Sequence, residues 1–274
     1  TAGLEVDKAS EYAELIERLL ESGSYDEPGV RHLEIAGLFD RHLEQPDRAR
    51  QHYEAALEIE PHHPDALRAL DRLYELDGRD EDRVEILDQL ARVVSDDGQR
   101  ADVHWRLAGL AERVEEPERA VQSLQWIVDH PDAVDADRVR ASLVDLARLH
   151  NEAGASVEER DALDLLVEAT EADNDRADLL ARAVAASEAA GDLDGAVDRA
   201  RLRVAVDPAK PGPWEEVERL VDQKGDMDAL AGALREEIAA LSDPAARDAA
   251  VLRLVDLLRG PAGKPEEVGA VASA

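Results

Sequence analysis

Eight histidines are the residues here best suited to hold a metal or move a proton, and their spacing decides whether they can act together. His32, His42 and His52 recur every ten residues. On a single helix that step turns a side chain by about −80°, and the spacing alone does not bring the three together as ligands. His62 and His63 follow Pro61, where adjacent histidines among carboxylates would hold a metal weakly; solvated loop histidines are the plainer reading. Acid pairs such as Glu115–Glu116 and Asp96–Asp97 are too frequent to specify anything, and no DxDxDG ladder offers a calcium loop. There is no HExxH, phosphate-binding glycine loop, nucleophile elbow or dinucleotide fingerprint. The residue types predict no enzyme, no cofactor and no metal site.

Composition narrows the partners. Lys and Arg total 32 against 64 Asp and Glu, a formal charge of −32. A surface of that sign does not neutralise phosphates, which argues against nucleic-acid binding, and it disfavours docking on anionic lipid. A mimic of nucleic acid would need its carboxylates along one strip, whereas here they follow every exposed helix face. No apolar run approaches the roughly 20 residues that span a bilayer. The chain has no cysteine, which excludes disulfides, thiol nucleophiles and Cys-ligated zinc. Only Lys8, Lys210, Lys224 and Lys264 supply lysine. An acidic, lysine-poor surface suits strong salt, where screening relieves self-repulsion; plain lineage bias explains it as well. The N-terminus, Thr1-Ala2-Gly3-Leu4-Glu5, has neither an initiating Met nor a signal-peptide pattern. The expectation is a trimmed start or a piece of a longer chain, with a cytoplasmic address favoured but not fixed.

The elements that would carry any site come from repetition. Ile35-Ala36-Gly37-Leu38-Phe39-Asp40-Arg41 matches Leu107-Ala108-Gly109-Leu110-Ala111-Glu112-Arg113 at an offset of 72 residues. Pro46-Asp47-Arg48-Ala49 matches Pro117-Glu118-Arg119-Ala120 at 71. A second set, Leu70, Arg72, Leu73 and Gly78, returns as Val217, Arg219, Leu220 and Gly225 at 147, about two such periods. The unit is two helical hairpins. Expected hairpins cover about 30–63, 64–97, 99–133, 137–173, 175–208 and 211–243 in a single array over 1–274. Residues 1–29 read as a closing helix plus a polar loop from Gly23 to Gly29 containing Pro28, and 245–274 as a terminal partial hairpin whose short second helix covers 265–272. Gly78, Gly154, Gly191 and Gly225 mark the turns inside hairpins, and Pro61 and Pro208 stop second helices. With 47 alanines and few aromatics, the helices must pack closely.

Within 30–63 the order Gly37, Ala49, Tyr53, Ala56, Pro61, spaced Gly-x11-Ala-x3-Tyr-x2-Ala-x4-Pro, resembles the tetratricopeptide repeat. Ala196, Ala200 and Pro208 repeat part of it, as do Ala120, Leu124 and Ile127, and Trp105 and Trp214 fall where that family often places Trp. Their repeat position assigns those two tryptophans to packing, while Trp126 is left as a ligand anchor. Several units are degenerate: Arg83 replaces the small second-helix residue of 64–97. The resemblance covers nearly the whole chain and implies an all-α, right-handed tetratricopeptide-type helical-hairpin solenoid. Gly37, Ala49 and Ala56 are expected at the helix crossing, with Leu33, Tyr53 and Leu57 around it. The degenerate pairs look similar to those of very large bacterial repeat proteins, and no capping helix is expected at either end.

That family lines its inner face with first-helix residues. Mapping those positions onto this chain gives Arg31, Arg41, Arg68, Arg72, Arg106, Arg113, Arg148 and Arg219. Two readings stand. Each Arg pairs with a neighbour across adjacent first helices, among Glu34, Glu75, Glu112, Asp145 and Glu215, or the line reads an acidic or carboxylate-ended peptide through bidentate contacts. The family's chaperone-tail clamp needs Lys and Asn residues that are missing here, so that activity is not implied. The expected role is a protein–protein interaction scaffold. The alternatives are head-to-tail self-association into a filament and a regulatory module of an enzyme outside these residues.

Overall fold

The computed structural model describes residues 2–23 and 27–271. Positions 24–26 of the expected polar loop, and residue 272 of the expected short terminal helix, lie outside them. Among the described residues there is no strand, and helix follows helix in repeated pairs, as the tetratricopeptide-type reading requires. Two compact units divide the chain, Thr1–Val139 and Arg140–Ala274.

The first unit holds α1 (Ala2–Glu21) and three hairpins: α2 (Pro28–Arg41) with α3 (Pro46–Ile59), α4 (Pro64–Asp77) with α5 (Asp80–Val93), and α6 (Asp97–Arg113) with α7 (Pro117–Asp129). The start of α8 (Ala136–Glu152) closes it. Proline occupies the first turn of α2, α3, α4 and α7, where its missing N–H costs nothing and its fixed φ is already helical. Pro28 therefore opens α2 instead of lying in the preceding loop. Asp96 accepts the Gln99 backbone N–H at 2.8 Å and caps α6. Gly78 ends α4 at φ 66°, a left-handed conformation that a Cβ disfavours. Ala13 and Ile16 of α1 are buried in the same core as Phe39, Leu67 and Leu87.

The crossing of α2 and α3 corrects one expectation. Ala36, Ala49 and Ala56 are fully buried there, with Tyr53 nearly so. Gly37 is only half-buried, and a Cβ built on it meets nothing within 4 Å. The clearance comes from Ala36, one residue earlier and about 100° round the helix. Close approach to a glycine occurs instead at Gly29, whose Cβ would stand 3.3 Å from Ile59 Cγ2.

The second unit continues with α9 (Ser156–Glu168), α10 (Asp173–Ala189), α11 (Leu193–Val206), α12 (Pro211–Lys224), α13 (Met227–Ala240), α14 (Pro244–Arg259) and the short α15 (Val268–Val271). Asp192, Asp226 and Asp243 cap α11, α13 and α14 by accepting backbone N–H groups at 2.8–3.0 Å. Gly154, Gly191 and Gly225 take φ between 70° and 76° in the turns. Val217, Leu220, Leu234, Leu254 and Leu258 form the core with Trp214, whose indole N–H donates to Pro208 O at 2.9 Å. Trp105 departs from the same expectation: it is half-buried in the first unit, with the Arg138 guanidinium 5.7 Å from its ring centre.

Candidate functional site

Helix phase decides which arginines meet. On α4, Arg68 and Arg72 stand one turn apart on one face, and on α2 Arg31 and Arg41 mark the two ends of the facing stretch. The structure brings these four into a single concavity of about 740 Å³ in the first unit. Leu33, Ala69 and Tyr53 form its apolar wall, and His63 stands at the start of α4, where its Nδ1 accepts the Ala66 N–H. Glu34, Asp40 and Asp65 also face it. Arg31 donates to Glu34 at 2.6 Å and Arg68 to Asp65 at 3.2 Å. Arg72 bonds Asp40 with one nitrogen while its side chain stays 48% exposed. Arg41 is exposed and forms no ion pair among the described residues; it interacts with the Tyr53 hydroxyl, whose pKa burial and Asp40 raise.

The other expected positions do not join that concavity. Arg106 of α6 bonds the buried Asp71 of α4 and borders a smaller hollow of about 190 Å³ beside Arg68 and Gln99. Arg113 bonds Asp80 at the start of α5. In the second unit, Arg148 bonds Asp145 and Glu152 of its own helix at 3.4 and 3.3 Å. Arg219 donates to both oxygens of Glu188 at 2.7 and 2.8 Å, holding that carboxyl below its usual range. Arg31 and Arg148 take two of the expected carboxylates, Glu34 and Asp145, but within their own helices and not across adjacent first helices. Arg72 and Arg219 instead take Asp40 and Glu188, about one hairpin earlier in the chain, and Arg113 takes Asp80.

One-hairpin spacing governs the ion pairs generally. Arg119–Glu85, Arg199–Asp164, Arg201–Glu236 and Arg253–Glu218 join residues 34 or 35 apart. Within each unit, equivalent faces of successive hairpins lie side by side, so a cation on one reaches a carboxylate on its neighbour. Arginine serves this because its fork spans the gap and binds carboxylate in two places.

Three polar clusters were not anticipated. His32 and His52 do converge, because they sit on different helices of one hairpin: their Nδ1 atoms are 2.9 Å apart, one donating to the other, and His52 Nε2 bonds Glu17 of α1 at 3.0 Å. Burial, with His52 adding to it, lowers the His32 pKa. His104, Trp126 and His130 stack with ring centres 4.6 and 4.1 Å apart. Burial drives His104 down to about 4. In the second unit, Arg253 of α14 divides itself between Glu218 of α12 at 3.0 and 3.1 Å and the fully buried Glu237 of α13 at 2.9 and 2.7 Å. Burial pushes Glu218 up to about 7, and the Glu237 carboxyl beside it acts the same way. The sequence did hold a signal for this last cluster. Asp71 and Glu218, like Arg106 and Arg253, are 147 residues apart, the offset already visible in the apolar positions.

No family model and no curated protein matches the chain. Among solved structures, similarity is found to a tetratricopeptide repeat protein from Parabacteroides merdae, at 12% identity over 94% of this chain and 96% of that one, TM-score 0.38. It is found to a Naa15/Naa10 structure bound to HypK-THB at 13% identity, over 92% of this chain and 39% of that one, TM-score 0.49. YrrB, described as a TPR protein with an unusual peptide-binding site, matches at 17% identity over 72% and 94%, TM-score 0.36. The class is set by the chain's own hairpins: an all-α array of tetratricopeptide type.

Proposed function

We propose that the chain is a non-catalytic protein–protein interaction scaffold whose α2–α4 concavity receives an acidic or carboxylate-ended segment of a partner. The observation that carries this is a local excess of cation: four arginines against three carboxylates, in a chain with twice as many acids as bases. Arg41 has no ion pair to give up among the described residues, and Arg72 commits one nitrogen to Asp40. A carboxylate entering there gains charge-assisted hydrogen bonds, while Leu33, Ala69 and Tyr53 exclude water around them.

Titration calorimetry with a short Glu-rich peptide bearing a free C-terminal carboxylate tests the reading. The Arg41→Ala/Arg68→Ala double variant should bind about tenfold more weakly, the equivalent of roughly 1.4 kcal/mol, with helicity unchanged by circular dichroism. Equal binding by the variant would overturn the site, and lost helicity with binding retained would make these arginines structural struts.

A further inference from the structure

We propose that a second concavity, bounded by α12, α13 and α14, is a receptor for a lysine- or arginine-bearing segment of a protein partner. This rests on the scaffold reading above and adds a ligand of opposite charge at a different place.

The hollow measures about 640 Å³. Its floor is apolar: Leu230, Leu234 and Leu257, all buried by their packing in the core of the second unit. Its rim carries Glu215, Asp222 and Asp256, all exposed and none in an ion pair among the described residues. Two cations border the hollow, and both are committed. Arg219 gives two hydrogen bonds to Glu188, and Arg253 serves Glu218 and Glu237 together. Two arginines thus answer Glu188, Glu237 and, once it ionises, Glu218, before the rim adds three more carboxylates.

A ligand that fits must satisfy floor and rim at once. An apolar ligand would cover the leucines but strip water from rim carboxylates without replacing it, which costs free energy. An acidic ligand would meet repulsion and find no uncommitted arginine. A lysine or arginine side chain matches both parts, since its methylene stem lies on apolar surface while its head stays with the charges.

The surrounding −32 attracts any cation from a distance, so the test must separate local from diffuse attraction. Fluorescence anisotropy on the full chain would compare a short Arg–Ala peptide with its citrulline–Ala counterpart, which has the same shape and no charge. The Arg peptide should bind and the citrulline peptide should not. Asp222→Asn/Asp256→Asn should weaken the Arg peptide about tenfold. Glu81→Gln/Glu118→Gln, which removes the same charge from exposed positions in the first unit, should change it by less than about twofold at ordinary ionic strength. Equal weakening by both pairs, or by neither, overturns the site. Displacement by the peptide of a second copy of the chain from this face would also overturn it, because the occupant would then be the chain itself.

A pH series gives an independent readout. Glu218 faces Glu237 on α13, Arg253 and Asp256 on α14, and shares its own helix with Glu215, Arg219 and Asp222. A bound cation favours its ionised form, so affinity should rise between about pH 6 and about pH 8 through proton release; a flat profile counts against a ligand head placed beside Glu218. If the Glu-rich peptide still binds at α2–α4 while the Arg peptide fails these tests, this inference alone falls. If neither peptide binds, the scaffold reading falls with it.

Discussion

The Arg83 guanidinium and the Asp71 carboxylate meet inside the α4–α5 hairpin at 3.2 Å, each side chain less than a tenth exposed. Arg83 stands at the second-helix position that Ala49, Ala120 and Ala196 fill in other hairpins. A bulky cation is tolerated there because Glu75 accepts from it at 2.7 Å and Asp80 lies 3.6 Å away. Arg106 from the next hairpin completes the charge around Asp71. The degenerate repeat thus exchanges small-residue packing for a buried ion-pair network that joins three helices.

Removing one member of such a network leaves a buried charge short of partners. Arg83→Ala should destabilise the chain by about 2–4 kcal/mol, even though it restores the residue type found in the sister repeats. Adding Asp71→Leu should recover part of that loss, since both charges are then gone. Urea denaturation of the single and double variants checks the order; a double variant less stable than Arg83→Ala would show that the pair is not the source.

Glycine positions separate turn from helix. Gly78→Ala should cost about 1 kcal/mol, because φ is positive there. Gly37→Ala should be neutral or stabilise by up to about 1 kcal/mol, since the new methyl meets open space and alanine favours helix. Ala56→Leu, at a fully buried site, should cost about 1–3 kcal/mol by overpacking. Thermal melts of the three variants should rank in that sense, and a destabilised Gly37→Ala would return that residue to the helix crossing.

Hairpin order was legible because the 72-, 71- and 147-residue offsets repeat whole sets of apolar and small residues. Fine phase was not. Moving one residue from Ala36 to Gly37 rotates about 100° on a helix, enough to exchange the crossing for an open face. Ion-pair partners were missed for a related reason. Arg72 and Arg219 do pair across adjacent first helices, as expected, but with Asp40 and Glu188, which the repeat alignment did not single out. His32 and His52 escaped because a ten-residue step excludes convergence only along one helix, and these two face each other across two.

Stability should depend on pH through Glu218. Burial raises its pKa in the folded chain to about 7, above the unfolded value, so protonated Glu218 favours folding. That contribution is complete below the unfolded pKa and is lost as pH rises through the folded one; by linkage it amounts to about 1–3 kcal/mol. Glu218→Gln should be more stable than the parent at about pH 8 and lose the difference at about pH 4. Denaturation at the two pH values reads this directly, and a Glu218→Gln effect independent of pH would assign Glu218 a purely packing role.

In the proposed function the α2–α4 arginines meet a partner in place. Hydrogen–deuterium exchange of the full chain with and without the Glu-rich, carboxylate-ended peptide tests it most directly. Binding should slow exchange in α2 and α4, around Arg31–Arg41 and Arg68–Arg72, and leave α12–α14 unchanged. Protection confined to other helices, or no protection at a peptide concentration that saturates calorimetric binding, would contradict it.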